Sequence, residues 1–170
     1  MPELLIAAVC LGALVFRLFL ERRAVSRWRG ASELRIVVTG TRGKSTVTRL
    51  IAGALRASGR TVLAKTTGSR PVTILPDGEE REVDRPGPAS ILEQKDLLKL
   101  AAGLGGRAVV SELMAVRPEV LAVESRRLFQ PQAVVITNVR VDHREEQGGT
   151  KSRTAASLSS AIAPGSTVSV

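Results

Sequence analysis

The stretch "VVTGTRGKSTVTRL", from Val37 to Leu50, constrains the fold of this chain more than any other. It joins an apolar β-branched run to a helical pattern through a turn bracketed by two glycines, and a lysine and two hydroxyl residues follow the second glycine. Glycines let successive backbone N–H groups face an anion, the helix N-terminus adds partial positive charge, and a lysine reaches the terminal phosphates. The stretch therefore predicts a nucleotide phosphate-binding loop made of Gly40, Thr41, Arg42, Gly43, Lys44, Ser45 and Thr46.

This loop differs from the commonest phosphate-binding motif, G-x-x-x-x-G-K-[ST], which would place a glycine where Val38 stands. The chemistry does not require that glycine, because the turn, the helix start, Lys44 and the Ser45 hydroxyl supply the contacts. An ordinary strand-to-helix turn with a capping serine is the alternative. The order of glycine, lysine and hydroxyl at a strand end favours a phosphate-binding loop of shortened form.

From Leu34 onward, short β-branched apolar runs alternate with helical patterns. This alternation predicts parallel strands with right-handed crossovers, an α/β fold in which ligands bind beyond the carboxyl ends of the strands. The stretch from Val72 to Val83 predicts instead a hairpin around Pro76, Asp77 and Gly78. We expect strands at 34–39, 61–66, 107–113, 133–138 and 166–170, and helices at 45–59, 90–104, 118–129 and 150–163.

An apolar run, "LLIAAVCLGALVFRLFL", occupies Leu4 to Leu20. At helical rise it spans about 25 Å, close to a hydrocarbon core of about 30 Å, and Arg17 near its end can snorkel to the interface. The basic flank from Arg22 to Arg29 follows it and is interpreted as charge that faces lipid headgroups. By the positive-inside tendency we expect a single-pass anchor of the cell membrane with the remainder in the cytoplasm. A buried core helix is the alternative.

These features divide the chain into an anchor at 1–21, a basic juxtamembrane linker at 22–33 and a nucleotide-binding domain at 34–170. The net charge of +9 and the pI near 11.1 suit an anionic partner. Three Phe, one Trp and no Tyr leave little from which to build the stacking platforms of single-stranded nucleic-acid binders, so we expect no nucleic-acid partner. The single cysteine, Cys10, cannot form an internal disulfide, which allows a reducing compartment.

Several segments together resemble one protein family. The motifs "TRGKSTVTRLIAGALRASG", "LAKTTGSRP", "EQKDLL", "SELMAVRPE" and "ITNVRVDHREEQG" occur in the same order as in the ligase subunits of poly-γ-glutamate synthases. Those subunits form a membrane-anchored branch of the Mur ligase superfamily that acts in capsule biosynthesis. The loop alone indicates only the superfamily, whereas "KTTGS", "SELMAV" and "DH" narrow the resemblance, which covers essentially the whole chain.

The resemblance implies ATP-dependent amide formation. A carboxylate of glutamate or of growing poly-γ-glutamate would be phosphorylated by ATP with Mg²⁺, and an amine would then attack the acyl phosphate. Lys44 and His143 would be the catalytic residues, with Lys44 on the phosphates and His143 helping to ligate a second Mg²⁺. Ser45 and Glu112 would ligate the first Mg²⁺ through oxygen. Asn138 would belong to the nucleotide site and, with Asp142, would shape the loop of His143. The implied partners are other membrane subunits of a capsule synthase.

Each assignment has a competing interpretation. Glu112 could be a solvated strand-end carboxylate, and His143 could be an idle surface histidine. Thr66 and Thr67 either touch substrate or only end a strand. Arg126 and Arg127 are expected on a solvated helix face. Lys151 is the only lysine after His143, but its neighbourhood does not match the carbamylated-lysine motif of many Mur ligases, so it receives no role.

Two other functions compete with the ligase. One is a membrane-tethered nucleotide-binding module without ligase activity, and the other is a P-loop kinase or switch protein, which the short loop and the "DH" segment argue against. The family that the chain resembles has further strands and a C-terminal domain beyond the point that matches Val170. The resemblance therefore implies an incomplete Mur-like domain at 34–170, with adenine contacts and the amine pocket supplied from outside it.

Overall fold

The computed structural model describes residues 2–68, 70–85, 87–142, 144–147 and 149–170. Its helices are α1 (Pro2–Gly30), α2 (Lys44–Ala57), α3 (Glu93–Gly103), α4 (Pro118–Ala122), α5 (Arg144–Gln147) and α6 (Lys151–Ser159), and a π-helical segment, Val123–Phe129, continues α4. Its strands are β1 (Leu34–Thr39), β2 (Val62–Thr66), β3 (Val72–Ile74), β4 (Glu80–Glu82), β5 (Ala108–Glu112), β6 (Ala133–Ile136) and β7 (Thr167–Ser169).

The strands form one sheet in the order β4-β3-β2-β5-β1-β6-β7. The pairs among β2, β5, β1, β6 and β7 are all parallel, whereas β3 and β4 form an antiparallel hairpin added to the edge of β2. The predicted α/β fold with parallel strands and the predicted hairpin are therefore confirmed. Because five strands run in one direction, their carboxyl ends meet at one edge of the sheet, called the carboxyl edge below, and their beginnings form the amino edge.

Helices cover both faces of the sheet, and side-chain alternation along the strands decides which residues meet them. Val38 and neighbours on alternate positions pack with Ala52 and the apolar side of α2. Val37 and its equivalents on β2 and β5 pack on the other face with Leu97 and Leu98 of α3, the π-helical segment and α6. We call these the α2 face and the α3 face. Strand β1 lies between β5 and β6 and is buried on both faces from Ile36 onward, which is why Ile36, Val37 and Val38 are apolar without interruption.

The helix predicted at 118–129 is present, but its second half is π-helical. The Gln130 N–H donates to the Ser125 carbonyl oxygen (2.7 Å), five residues back. The buried positions Glu124, Ser125, Leu128 and Phe129 continue the helical spacing from Leu121 of α4, so the segment differs from the prediction in its hydrogen bonding and not in the face that it buries. Arg126 and Arg127 are exposed, as expected. The short helix α5 was not predicted.

The N-terminal helix runs without a break from Pro2 to Gly30, through the basic residues assigned to a linker. It is the one helix in the described part of the chain that is long and apolar enough to cross a membrane, and its apolar window is fully exposed. The interpretation of the whole basic flank as lipid-facing is wrong at its end. Arg29 donates to the carbonyl oxygens of Arg127 (2.8 Å) and Leu128 (3.3 Å), and Val25 is buried. The last turns of α1 therefore belong to the globular body.

Candidate functional site

The shortened loop is explained by the position of Val38 inside the sheet. Val38 is fully buried in β1 and lies in register with Glu112 of β5 and Val135 of β6. A glycine there would weaken a central strand and would add nothing to the loop. The strand ends at Thr39 and α2 begins at Lys44, so the turn consists of four residues from Gly40 to Gly43.

Both glycines of the loop are required by geometry, for different reasons. Gly40 has φ 127°, and a Cβ atom on it would lie 2.3 Å from Oγ1 of Thr137. Gly43 has φ 79° in the left-handed region, where L side chains are strained, although the space around it is open. Gly40 thus permits close approach of the β6 loop, and Gly43 turns the chain into α2.

The start of α2 presents unsatisfied donors. The N–H of Val47 donates to the carbonyl oxygen of Gly43 (3.0 Å), and the N–H groups of Lys44, Ser45 and Thr46 precede this first helical bond. The Lys44 ammonium donates to the Gly40 carbonyl oxygen (2.9 Å), which holds the cation over the loop. Three N–H groups, the helix dipole and one cation therefore converge at the carboxyl edge, an arrangement suited to a polyphosphate.

Ser45 and Glu112 meet at this edge on the α2 face. The Ser45 hydroxyl donates to Oε2 of Glu112 (2.7 Å), and the same oxygen accepts the N–H of Thr67 (2.9 Å). Glu112 is only 3% exposed, and among the described residues it has no ion pair. It is thus not the solvated strand-end carboxylate of the alternative interpretation. A buried carboxylate held by two neutral donors leaves a charge that a cation can balance.

The loop after β2 comes close to the same point. A Cβ atom on Gly68 would lie 3.3 Å from the Ser45 hydroxyl oxygen, so a small residue fits there best. Thr66 is the buried last residue of β2, whereas Thr67 contributes its N–H to Glu112. Thr66 therefore ends the strand and Thr67 contacts Glu112, while contact of either residue with substrate stays a prediction.

The loop after β6 braces the phosphate-binding loop from the other side. Asn138 accepts the N–H of Arg42 (3.2 Å) and donates to the Arg42 carbonyl oxygen (2.8 Å), while its own carbonyl accepts the N–H of Thr41 (3.2 Å). The Thr41 hydroxyl exchanges hydrogen bonds with the backbone of Arg140. Asp142 forms an ion pair with Arg42 (3.3 Å). Asn138 therefore shapes the loop itself; His143 lies outside the described residues.

The donor set fits a hard divalent cation that also takes ligands from a nucleotide. The available ligands are a hydroxyl and a carboxylate oxygen, and Mg²⁺ in such sites uses one or two carboxylates together with phosphates and water. Within the described ranges no three His, Cys, Asp or Glu residues cluster closely enough to hold a metal by themselves. Ser45 and Glu112 would thus hold Mg²⁺ only with the phosphates in place.

A second carboxylate, Glu93, lies at the carboxyl edge on the α3 face. The ammonium of Lys65, 2% exposed, lies 2.7 Å from Oε2 of Glu93, and Arg85 donates to both carboxylate oxygens (2.9 and 3.0 Å). The N–H of Ser90 adds a further bond (3.1 Å). Burial alone would raise the pKa of Glu93, but these donors lower it to about 2. Burial also lowers the pKa of Lys65, against the opposing effect of Glu93.

Next to this cluster, a network of neutral and acidic side chains binds the backbone segment that follows β5. Glu124 is fully buried and accepts the side-chain amide of Gln94 (2.8 Å) and the N–H groups of Met114 (3.2 Å) and Ala115 (3.0 Å). Gln94 in turn accepts the Ser111 hydroxyl (2.7 Å). Burial raises the pKa of Glu124, which its hydrogen-bond donors only partly offset. The network fixes the backbone on both sides of Glu112.

This second cluster was not predicted from the sequence. Lys65 stands at the end of an apolar strand and Glu93 at the start of a helix, and a charged residue at such a position is solvated more often than buried. Glu124 lies in the helix predicted at 118–129, of which only Arg126 and Arg127 were assigned to a face, the solvated one. Only the burial of Lys65 had a signal in the sequence. Side chains alternate along the strand predicted at 61–66, so Lys65 lies on the face opposite to Ala64 and Thr66, and helices cover both faces.

A family model of the Mur ligase middle domain matches residues 38–158. Two curated relatives are similar over most of the chain. PGA synthase CapB of Bacillus subtilis (strain 168) is 37% identical over 145 residues, which cover 84% of this chain and 37% of the relative. Capsule biosynthesis protein CapB of Bacillus anthracis is 31% identical over 159 residues, which cover 92% of this chain and 34% of the relative. The chain thus spans about a third of the length of these relatives.

Solved structures share the fold at low sequence identity. A bifunctional folylpolyglutamate synthase/dihydrofolate synthase from Yersinia pestis, complexed with AMPPNP and Mn ion, superposes with a TM-score of 0.60 at 14% identity, covering 87% of this chain and 45% of that protein. An FPGS-AMPPCP-folate complex superposes with a TM-score of 0.53 at 20% identity, covering 86% and 42%. These likenesses extend across the sheet and its helices and concern the fold alone.

Proposed function

The chain belongs to the Mur ligase middle-domain family, and from that premise we propose that it is the ATP- and Mg²⁺-binding part of an amide ligase. The ligase would form the γ-glutamyl bonds of poly-γ-glutamate, a capsule polymer, as the names of the two curated relatives suggest. The observation that carries the proposal is the pairing of Ser45 with a buried Glu112 that, among the described residues, has no ion pair within 4.0 Å, beside the N–H groups at the start of α2.

In the proposed reaction this chain acts by position and charge. The N–H groups at the start of α2 and the Lys44 ammonium bind the terminal phosphates of ATP and screen their charge. A carboxylate of glutamate or of the growing polymer attacks the γ-phosphorus and forms an acyl phosphate, with ADP as the leaving group; an amine then displaces phosphate and forms the amide. Magnesium, when bound, supplies Lewis-acid polarisation and charge neutralisation at the phosphoryl group.

The surrounding residues keep these groups in place. Gly40 and Asn138 lock the loop to the end of β6, so the N–H groups of the loop remain oriented before nucleotide arrives. Ser45 and Glu112 would hold Mg²⁺ through oxygen, and Thr67 fixes the Glu112 carboxylate by its N–H. His143 is proposed to contribute to a second Mg²⁺, as the family resemblance implies. Together Lys44 and His143 remain the proposed catalytic residues.

The phosphate site is tested by calorimetric titration of MgATP. Lys44→Ala removes a charged hydrogen-bond donor worth about 1.5–3 kcal/mol, so affinity should fall roughly 10- to 100-fold. Lys99→Ala is the matched control, because it removes the same charge from an exposed position of α3. Equal affinities for wild type and Lys44→Ala would contradict the site.

Ligase chemistry is tested in a chimera in which this chain replaces the matching segment of the Bacillus subtilis relative. With ATP, glutamate and hydroxylamine, we expect a glutamyl hydroxamate from trapping of the acyl phosphate, and none from the chimera that carries Lys44→Ala. A chimera that binds MgATP with wild-type affinity but forms no hydroxamate would favour the nucleotide-binding module without ligase activity.

We further propose that Leu4 to Leu20 anchors the chain in the cell membrane by a single pass, with residues after Leu20 in the cytoplasm. The support is the exposed apolar window of α1 followed by a basic flank. The protein should stay in the membrane fraction after a high-salt wash, and its phosphate-binding loop should resist protease added to intact cells. Release by salt alone would show an electrostatic association instead. The proposed partners are other membrane subunits of a capsule synthase.

A further inference from the structure

The direction in which α1 approaches the body is fixed by four successive contacts. Glu21 pairs with Lys95 in the first turn of α3, and further on the Lys99 ammonium lies 6.0 Å from the centroid of the Trp28 ring. After the helix ends, the Ser32 hydroxyl donates to the Gly106 carbonyl (3.0 Å) and the Glu33 N–H to the Arg107 carbonyl (2.9 Å). Because the residue numbers of both partners increase together along these contacts, from 21 to 33 and from 95 to 107, α1 and α3 run parallel to each other.

Helix α3 begins at the carboxyl edge of the sheet. Glu93, its first residue, pairs with Lys65 near the end of β2, and the side-chain amide of Gln94 lies 3.4 Å from the carbonyl oxygen of Glu112 at the end of β5. Gly106 and Arg107, beyond the other end of α3, immediately precede β5 at the amino edge. Both α3 and the last turns of α1 therefore point from the carboxyl edge toward the amino edge.

The earlier part of α1 consequently projects past the carboxyl edge. Glu21 is already level with the first turn of α3, and residues 2–20 are all exposed, although Leu18 lines a groove that also contains Lys95 and Arg127. From Leu4 to Leu20 the helix extends about 25 Å in that direction. The phosphate-binding loop, Glu112 and Asn138 lie at the same edge of the sheet.

We propose that the nucleotide site faces the membrane surface, with the carboxyl-edge loops lying at the headgroup layer of the bilayer. The inference rests on the proposed anchoring by Leu4 to Leu20, and it adds the orientation of the site. No spacer separates the two parts, because the apolar run ends at Leu20 and the next residue already contacts the body. A headgroup layer is only about 5–7 Å deep on each side, so there is little room between site and bilayer.

The attachment of α1 makes this orientation a rigid property of the chain. Val25 is buried, Trp28 packs against the α3-face core, and Arg29 binds two carbonyl oxygens at the end of the π-helical segment. Arg35 of β1 in turn donates to the Arg29 carbonyl oxygen (2.7 Å). A continuous helix held by packing and charged hydrogen bonds cannot swivel as a flexible linker would.

The carboxyl-edge loops also carry charges that suit an anionic bilayer surface. Arg117 follows β5 and Arg140 follows β6, and both are exposed; Arg42 after β1 is exposed too, but it shares an ion pair with Asp142. Anionic lipids attract such residues by about 1 kcal/mol each near the surface. An anionic acceptor and its product would accordingly enter and leave along the membrane surface, next to any membrane-embedded partner.

The orientation is testable with single-cysteine labels, since Cys10 is the only native cysteine. In a Cys10→Ser background, Arg117→Cys and Arg140→Cys report the carboxyl edge, and Arg60→Cys and Arg107→Cys report the amino edge. All four replace an exposed arginine, so the charge change is matched. The chain is reconstituted in vesicles of phosphatidylcholine and phosphatidylglycerol, and a fluorophore on each cysteine is quenched by nitroxide-headgroup lipid.

We expect quenching several-fold stronger at positions 117 and 140 than at positions 60 and 107, since the two edges are about 20 Å apart along a six-residue strand. Equal quenching at both edges, or stronger quenching at the amino edge, would overturn the orientation. Flotation of each variant with the vesicles reports the anchoring separately. A chain that does not float would overturn the anchoring and the orientation together, whereas floating with equal quenching would overturn the orientation alone.

Discussion

Two carboxylates lie at the carboxyl edge on opposite faces of the sheet, Glu112 buried and Glu93 mostly buried, and their surroundings differ in charge. Glu93 on the α3 face has two cations, Lys65 and Arg85, within 3.0 Å. Glu112 on the α2 face has two neutral donors and, in the part of the chain that the structure describes, no cation within 4.0 Å; Arg49 interacts with it only at longer range. Both carboxylates are largely shielded from solvent, so they differ mainly in whether a nearby cation neutralises their charge.

The comparison separates a structural charge from a functional one. A carboxylate compensated by the protein joins elements together: Glu93 links β2, the segment around Arg85 and α3. A carboxylate left uncompensated carries a cost in the free chain that a cationic ligand removes on binding. We therefore assign Glu93 to stability and Glu112 to the proposed magnesium site, and the following predictions test that division.

The largest effect is expected from Glu93→Gln. The substitution leaves Lys65 buried without its counter-charge, so the free energy of unfolding in urea should fall by about 3–5 kcal/mol. The control is Glu82→Gln, which breaks an exposed pair with Arg70 and should change stability by less than about 1 kcal/mol. A loss of similar size in both variants would mean that burial of the pair has no special role.

Acid should reproduce most of the same loss in the wild type. The pKa of Glu93 is about 2 in the folded chain against an ordinary value of 4.5. Its stabilisation is therefore complete above pH 4.5 and is lost as the pH falls from there through 2, by about 3 kcal/mol in total. Urea unfolding between pH 5 and pH 2 measures this slope, and in Glu93→Gln the slope should be distinctly shallower. Identical slopes would assign the acid sensitivity to other groups.

A smaller effect of opposite sign is expected from Glu112→Gln. Without nucleotide or metal, removing a buried and uncompensated charge should raise the free energy of unfolding by about 1–2 kcal/mol, because an amide oxygen still accepts one donor. The measurement is urea unfolding at neutral pH in the presence of a chelator. A marked destabilisation would place Glu112 in the same structural class as Glu93.

The fold could be predicted from the sequence because the separate local patterns indicated the same strands, turns and helices. The β-branched run at Leu34 to Thr39, the loop glycines and the amphipathic pattern of α2 all indicate the same strand, turn and helix. The pairing of Ser45 with Glu112 was expected from the family resemblance, and it lies where parallel strands end, as the rule for ligand sites in such sheets predicts. Opposite-face partners could not be predicted, because Lys65 meets Glu93 only through the packing of α3, and Glu124 meets its donors from Gln94, Met114 and Ala115 only in the folded chain.

The direction in which α1 lies against the domain likewise could not be predicted from the sequence. An apolar run with a basic flank predicts a membrane span and its sidedness, but it does not predict which edge of the domain lies nearest the bilayer. That information resides in the order of contacts from Glu21 to Glu33, which depends on how α1 lies along α3.

The most direct test of the division between the two carboxylates is a titration of Mn²⁺ in the presence of ATP, followed by electron paramagnetic resonance. Mn²⁺ shares the preference of Mg²⁺ for oxygen ligands. Under conditions where all variants are folded, Glu112→Gln should weaken Mn²⁺–ATP binding by at least about tenfold, or about 1.4 kcal/mol, and Glu93→Gln should leave it essentially unchanged. Wild-type affinity in Glu112→Gln, or a loss confined to Glu93→Gln, would contradict the account.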